Sequence, residues 1–181
     1  MMKEPTTPEE IRAFLDLQRA DPRKALEIAS RWIADNPVSS SAYFTRQDIW
    51  LELGEPARAM EDLDKAIELR PDAISFWSRG DVHRRVGEYK AAMQDYKRGE
   101  AIDPDKWERD AFPLLYQADV YARLGDEANA LDCCARLPDH FWTPGHNDLP
   151  PGNKPEIAEE LRRRAAAARG PTSPRKPPAR S

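Results

Sequence analysis

Cysteine is nearly absent from this chain: two occur in 181 residues, Cys133 and Cys134, side by side. Neighbours on a helix point about 100° apart, so a bridge between them would strain the backbone, and two cysteines make no disulfide framework. Long apolar runs are also missing. No segment approaches the ~18 residues that a membrane span needs. The amino terminus, MMKEPTTPEEIRAFL, has no basic start followed by an apolar stretch, so no signal peptide is expected and the expected location is the cytoplasm. There is no glycine-rich phosphate loop, no nucleophile elbow and no convergent acid–base pair. The expectation is therefore a chain that is not an enzyme and holds no cofactor and no metal.

Positive charge is scarce over most of the length. Residues 155–181 hold seven Lys/Arg against three Asp/Glu, whereas residues 1–154 hold 21 against 29. An acidic body repels phosphate backbones, so nucleic acid is not an expected partner, and without an apolar span neither is a membrane.

What is present is repetition. Pro37, Pro71 and Pro104 lie 34 and 33 residues apart, as do Ala25, Ala59 and Ala92, and Gly54 and Gly87 are 33 apart. Self-similarity at this period marks stacked helical hairpins, each of which cannot bury its apolar face alone. The fold class read from it is all-α, a solenoid of about four antiparallel hairpins. The units run over about 6–39, 40–72, 73–106 and 111–142, with turns at Asp21-Pro22, Gly54-Glu55-Pro56, Gly87-Glu88 and Gly125-Asp126. Glycine just past each first helix supplies a left-handed cap, and Pro22 and Pro56 suit the start of a second helix. A few extra residues near Trp107–Asp110 stretch the Gly87–Gly125 spacing to 38. The stretch 143–154 reads as a Pro/Gly-rich loop. Residues 155–170 form an alanine-rich capping helix with acids early and arginines late, as the helix dipole prefers. Residues 171–181 read as a disordered basic tail.

The second, third and fourth units resemble tetratricopeptide repeats. The second offers Tyr43, Gln47, Trp50, Gly54, Ala59, Leu63, Ala66 and Pro71; the third offers Phe76, Gly80, His83, Gly87, Ala92, Tyr96, Gly99 and Pro104. The fourth offers Leu114, Ala118, Tyr121, Gly125, Ala130, Cys134 and Leu137 but no closing proline. The first unit departs from the pattern at Glu9 and Asp16. The resemblance implies that the first helix of each hairpin faces a concave groove that binds a protein or peptide partner. On that reading the groove slots hold Phe44, Trp77 and Leu115 in one row and Asp48, Asp81 and Asp119 one turn later. Arg84, Arg85 and Arg123 follow, and Phe112 and Tyr116 lie at the mouth. Each apolar group then sits four residues from a carboxylate on one helical face, so anchors and acids alternate as an extended cationic segment requires. The competing reading is that aspartate at this slot serves the packing of neighbouring hairpins.

One subclass of the family grips chaperone tails through a basic carboxylate clamp. The corresponding slots hold Phe44, Asp48, Ser78, Phe112 and Tyr116, or one unit earlier Glu10, Phe14, Thr45, Ile74 and Ser78. Neither set is basic, which disfavours that role. Cys133, Cys134, His140 and His146 match no common zinc spacing, and Cys134 and His83 fall in core slots. The expected function is a non-catalytic adaptor. The alternatives are a dedicated chaperone for a secreted substrate, a regulatory subunit of an enzyme, and self-association into a homo-oligomer. The basic tail, with Arg175, Lys176 and Arg180, is either a solvated end or a competitor for the aspartate row.

Overall fold

The computed structural model describes residues 3–105, 111–145, 148–149 and 151–170. The extra residues expected at 107–110, His146 and the basic tail at 171–181 lie outside the described residues. The fold is all-α; the described residues form four helix hairpins followed by a carboxy-terminal helix, and the chain divides into two compact units, Met1–Lys106 and Trp107–Ser181.

The first unit holds three hairpins: α1 (Pro8–Ala20) with α2 (Pro22–Asp35), α3 (Ser40–Glu52) with α4 (Pro56–Leu69), and α5 (Ala73–Arg85) with α6 (Tyr89–Ile102). Local chemistry sets their ends. Thr7 and Glu10 form a capping box at α1, and Asp21, Ser39 and Asp72 accept from backbone N–H groups at the starts of α2, α3 and α5. Pro8, Pro22 and Pro56 open their helices, where a missing N–H costs little. The turns after α3 and α5 pass through Gly54 at φ 75° and Gly87 at φ 87°, the left-handed region that a Cβ disfavours.

Each hairpin packs around small residues. Ala25, Ala29, Ala59, Ala66 and Ala92 are completely buried, which lets backbones approach closely and leaves space for Phe14, Trp32, Leu63 and Tyr96. The tightest approach is at Gly80. A Cβ added there would lie 2.6 Å from Tyr96 Cε1 and 3.2 Å from the Ala92 carbonyl oxygen, and Tyr96, itself 0% exposed, has no room to turn away. Gly80→Ala gains about 1 kcal/mol of helix propensity but overpacks the contact at a cost of about 1–3 kcal/mol. The expected result is a net loss of stability, read as a lower urea midpoint with an unchanged m-value.

Ion pairs bind the same hairpins from within. Arg46 on α3 donates two hydrogen bonds to Asp62 on α4, Nε at 2.8 Å and Nη2 at 2.6 Å. Thirty-three residues later Arg79 on α5 repeats this with Asp95 on α6, at 2.7 Å and 2.7 Å. Each arginine also reaches back to the preceding hairpin: Arg46 Nη1 to Ser30 Oγ at 3.4 Å, and Arg79 Nη1 to Asp64 Oδ1 at 2.7 Å. The hydrogen bonds to Asp62 and to Asp95, foremost among their partners, hold both guanidinium groups above their ordinary pKa.

The second unit comprises α7 (Ala111–Arg123), α8 (Glu127–Ala135), a two-stranded antiparallel ribbon of β1 (Trp142–Thr143) and β2 (Gly152–Asn153), and α9 (Lys154–Arg169). The ribbon pairs Trp142 with Asn153 and Thr143 with Gly152, across the two ends of the stretch that the prolines and glycines mark as loop. Helix α9 packs on both α7 and α8, burying Ile157, Leu161 and Ala165. Polar contacts fix it in place: Arg169 bonds the Gly125 carbonyl and Glu127, and Lys154 bonds the Leu137 carbonyl. The hairpin α7–α8 lacks the arginine clasp, and Gln117 and Cys133 stand in the corresponding positions, Sγ to Oε1 at 4.0 Å.

Candidate partner-binding groove

The face of α1 and α3 in the first unit encloses a cleft of about 530 Å³. Ile11, Phe14, Leu15 and Gln18 come from α1, spaced so that they share one helical face. Phe44, Thr45 and Asp48 come from α3, and Glu4, Pro5 and Thr6 complete the wall. Ile11 and Leu15 are 44% and 43% exposed, large apolar side chains presented to water. Phe44 also lines a smaller neighbouring cleft with Ser40, Ser41, Arg70, Asp72, Ile74 and Ser75, where Ile74 is likewise exposed.

The three aspartates read from the sequence as one row have different surroundings. Asp81 accepts from Arg84, Nη2 at 2.9 Å, and Asp119 accepts from Arg123 Nε at 2.9 Å and from Arg164 Nη1 of α9 at 2.5 Å. Asp48 has no cation among the described residues; it accepts instead from the Gln47 side-chain amide at 2.5 Å. Protein crowding this only partly hydrated carboxyl and, to a lesser extent, Glu52 one turn on push its pKa up to about 6, although the Gln47 amide opposes the shift. Glu52 in turn accepts from Gln18 Nε2 at 2.8 Å. Asp48 nevertheless remains accessible to solvent, so a cation can reach it.

The other expected positions fall as follows. Trp77 and Asp81 are half-buried, Arg84 is buried and Arg85 is exposed, and none of the four lines either cleft. In the second unit Leu115, Tyr116 and Asp119 are buried, Arg123 is half-buried and Phe112 is at the surface against Phe141, ring centroids 5.9 Å apart. Helix α9 contributes to this, since Arg164 bridges Asp119 and the Asp148 carbonyl while Leu161 packs inside. The structure thus brings Phe44 and Asp48 together in one cleft and adds Ile11, Leu15 and Gln18, which lie in the hairpin that departs most from the repeat pattern. Cys134 is buried, burial pushes its thiol pKa up, and a thiolate is correspondingly disfavoured. Among the described residues, no three His, Cys, Asp or Glu side chains gather as a metal site, and no helix is long and apolar enough to cross a membrane.

A family model described as tetratricopeptide repeat matches residues 12–74 and again 51–106, together more than half of the chain. The chain belongs to the tetratricopeptide repeat family. Solved structures agree on the fold of this tetratricopeptide repeat protein. YrrB, a tetratricopeptide protein with an unusual peptide-binding site, is 18% identical with a TM-score of 0.63, over 87% of this chain and 80% of that one. TTC0263, a thermophilic tetratricopeptide protein of Thermus thermophilus, is 22% identical with a TM-score of 0.58, over 91% and 82%. MamA from Desulfovibrio magneticus is 19% identical with a TM-score of 0.61, over 70% of each chain. No match was found among curated proteins. A tetratricopeptide repeat fold is suited to protein–protein interaction, and these similarities bear on the fold alone.

Proposed function

We propose that this chain is a non-catalytic adaptor that holds an extended partner segment against α1 and α3, pairing a lysine or arginine of that segment with Asp48. The observation that carries this reading is the contrast within the aspartate row: Asp81 and Asp119 are neutralised by arginines of the chain itself, whereas Asp48 has no cation among the described residues and stands beside exposed Ile11 and Leu15. Apolar groups in such a cleft supply desolvated anchors, and an acid with a raised pKa gains most from an incoming positive charge. The peptide-binding site of YrrB supports peptide capture as a use of this fold. The cytoplasm is the proposed location.

The pH dependence follows from Asp48. Its folded-state pKa, about 6, lies above the ordinary carboxylate value of 3.8, so the carboxyl ionises only as pH rises through 6, and ionisation costs stability over that window. A bound cation relieves this cost. A lysine-bearing apolar peptide therefore binds more tightly at pH 7.5 than at pH 5, and Asp48→Asn weakens binding roughly ten-fold at pH 7.5, as expected for a hydrogen bond to a charged group. The same variant flattens the pH profile while leaving helicity intact. Fluorescence anisotropy checks both, and a profile unchanged by Asp48→Asn would place the partner elsewhere.

A further inference from the structure

The amino-terminal segment already shows what one end of this groove accepts. Glu4 reaches the start of α3, where Ser39 Oγ donates to its Oε1 at 2.5 Å and Ser41 Oγ donates to its Oε2 at 2.6 Å. Ser39 is also the cap of α3, accepting from the Ala42 N–H, so the carboxylate sits at the positive end of the helix dipole. The segment has no regular structure over residues 3–6. It forms one wall of the groove and, on its other side, of a second cleft of about 250 Å³ lined by Lys3, Glu10, Phe14 and Trp32. Trp32 is 4% exposed, and its indole N–H has no hydrogen-bond partner among the described residues.

We infer that Ser39 and Ser41 form a carboxylate-reading subsite of the groove, that Glu4 fills it in cis, and that an acidic side chain of the partner displaces Glu4 on binding. This rests on the groove reading proposed above and specifies the partner's chemistry further. Ser41 and Asp48 are seven residues apart on α3, a rise of about 10.5 Å. An extended segment covers about 3.3–3.6 Å per residue, so the partner carries an acidic residue about three positions from a basic one, with apolar residues between them over Ile11, Leu15 and Phe44. The helix N-terminus and two hydroxyl groups read the acid, and Asp48 with Glu52 reads the base. Opposite charges at the two ends fix the direction of the segment, which apolar contacts alone would leave open. While Glu4 is docked, only the undocked fraction of the protein is competent to bind such a segment, and the apparent affinity falls by that fraction.

The test uses two fluorescein-labelled peptides with the cores Glu-Leu-Leu-Lys and Lys-Leu-Leu-Glu, one for each direction, and versions with Gln in place of Glu. They are titrated against the full chain, a chain lacking residues 1–5, and the full chain with Glu4→Gln. The truncation keeps Thr6 and Thr7, which with Glu10 cap α1, and Glu4→Gln leaves the segment in place should the truncation disturb folding. The expected result is that one direction binds and that truncation or Glu4→Gln tightens it roughly ten-fold, the effect of a segment docked about nine-tenths of the time. The gain vanishes for the Gln peptides and for Ser41→Ala in the truncated chain. Equal binding of the acidic peptide to all three proteins, or a gain that persists with the Gln peptides, overturns the subsite while leaving the groove intact. If no peptide binds any form, the groove reading falls with it.

Discussion

Replacing Arg79 with alanine lowers the stability of the first unit by about 3 kcal/mol, the range for removing one partner of a buried ion pair, and drops the melting temperature by roughly 10 °C or more. The reason lies in what remains. Asp95 is 2% exposed, and without Arg79 its carboxylate keeps, among the described residues, only the more distant Arg98 Nη1 at 3.8 Å and the His83 ring, Nε2 at 3.7 Å. Asp64 of the preceding hairpin loses its partner in the same step. Most of the loss is the cost of an uncompensated charge rather than the net worth of the pair. The double variant Arg79→Met, Asp95→Leu should therefore recover most of it, since an apolar pair of similar volume often equals a buried ion pair. Chemical denaturation of the two variants decides the matter. A double variant as unstable as the single one would mean that the clasp contributes net attraction, not merely mutual neutralisation.

Removing residues 154–181 deprives the second unit of α9, and the expected outcome is loss of hydrogen-exchange protection in α7 while α1 to α6 keep theirs. Helix α7 is unusual in burying nearly every side, from Pro113 through Val120 without a break. A helix with almost no wetted face is stable only when covered. Ile157, Leu161 and Ala165 of α9 are 0%, 2% and 0% exposed, so its removal returns a full apolar stripe to water. A milder change, Leu161→Ala, should cost about 2–5 kcal/mol. Near-native protection of α7 after truncation would show that α9 is dispensable cover.

One contribution of α9 also responds to acid. Arg163 and Arg164 hold the Glu160 carboxyl down to about 2, against an ordinary 4.5. A depressed carboxylate stabilises the fold above its unfolded value, and that contribution drains away as pH falls from about 4.5 towards 2. Because Arg163 is largely exposed, solvent and salt keep the contribution near 1 kcal/mol or below.

The hairpins were legible because their signals are local and recur. A proline at a helix start, a glycine in the left-handed region and an alanine at a close contact each act within a few residues. Asp119 was not legible in the same way. It shares its slot with Asp48 and Asp81, yet its partner Arg164 lies 45 residues on, in a helix outside the repeat period. The ribbon of β1 and β2 joins residues across a stretch whose composition signals only turns, and a pairing of two residues per strand leaves no alternation to read. Ile11 and Leu15 form a legible i, i+4 pair, but they sit in the hairpin whose Glu9 and Asp16 break the pattern, so the repeat register assigns them no groove slot. The clasp was readable too: Arg46 with Asp62 and Arg79 with Asp95 stand sixteen residues apart and recur at the repeat period, but acids on amphipathic helices more often belong to the wetted face.

Both clasp arginines hold two generations of the array at once, their own hairpin and the one before it. In a one-dimensional array such links raise the coupling between neighbours relative to the intrinsic stability of each repeat. The first three hairpins should accordingly melt in concert, with no populated state in which one has frayed and the next stands. A hairpin lifted out and spliced into a foreign array would arrive with a guanidinium group whose second acceptor had been left behind.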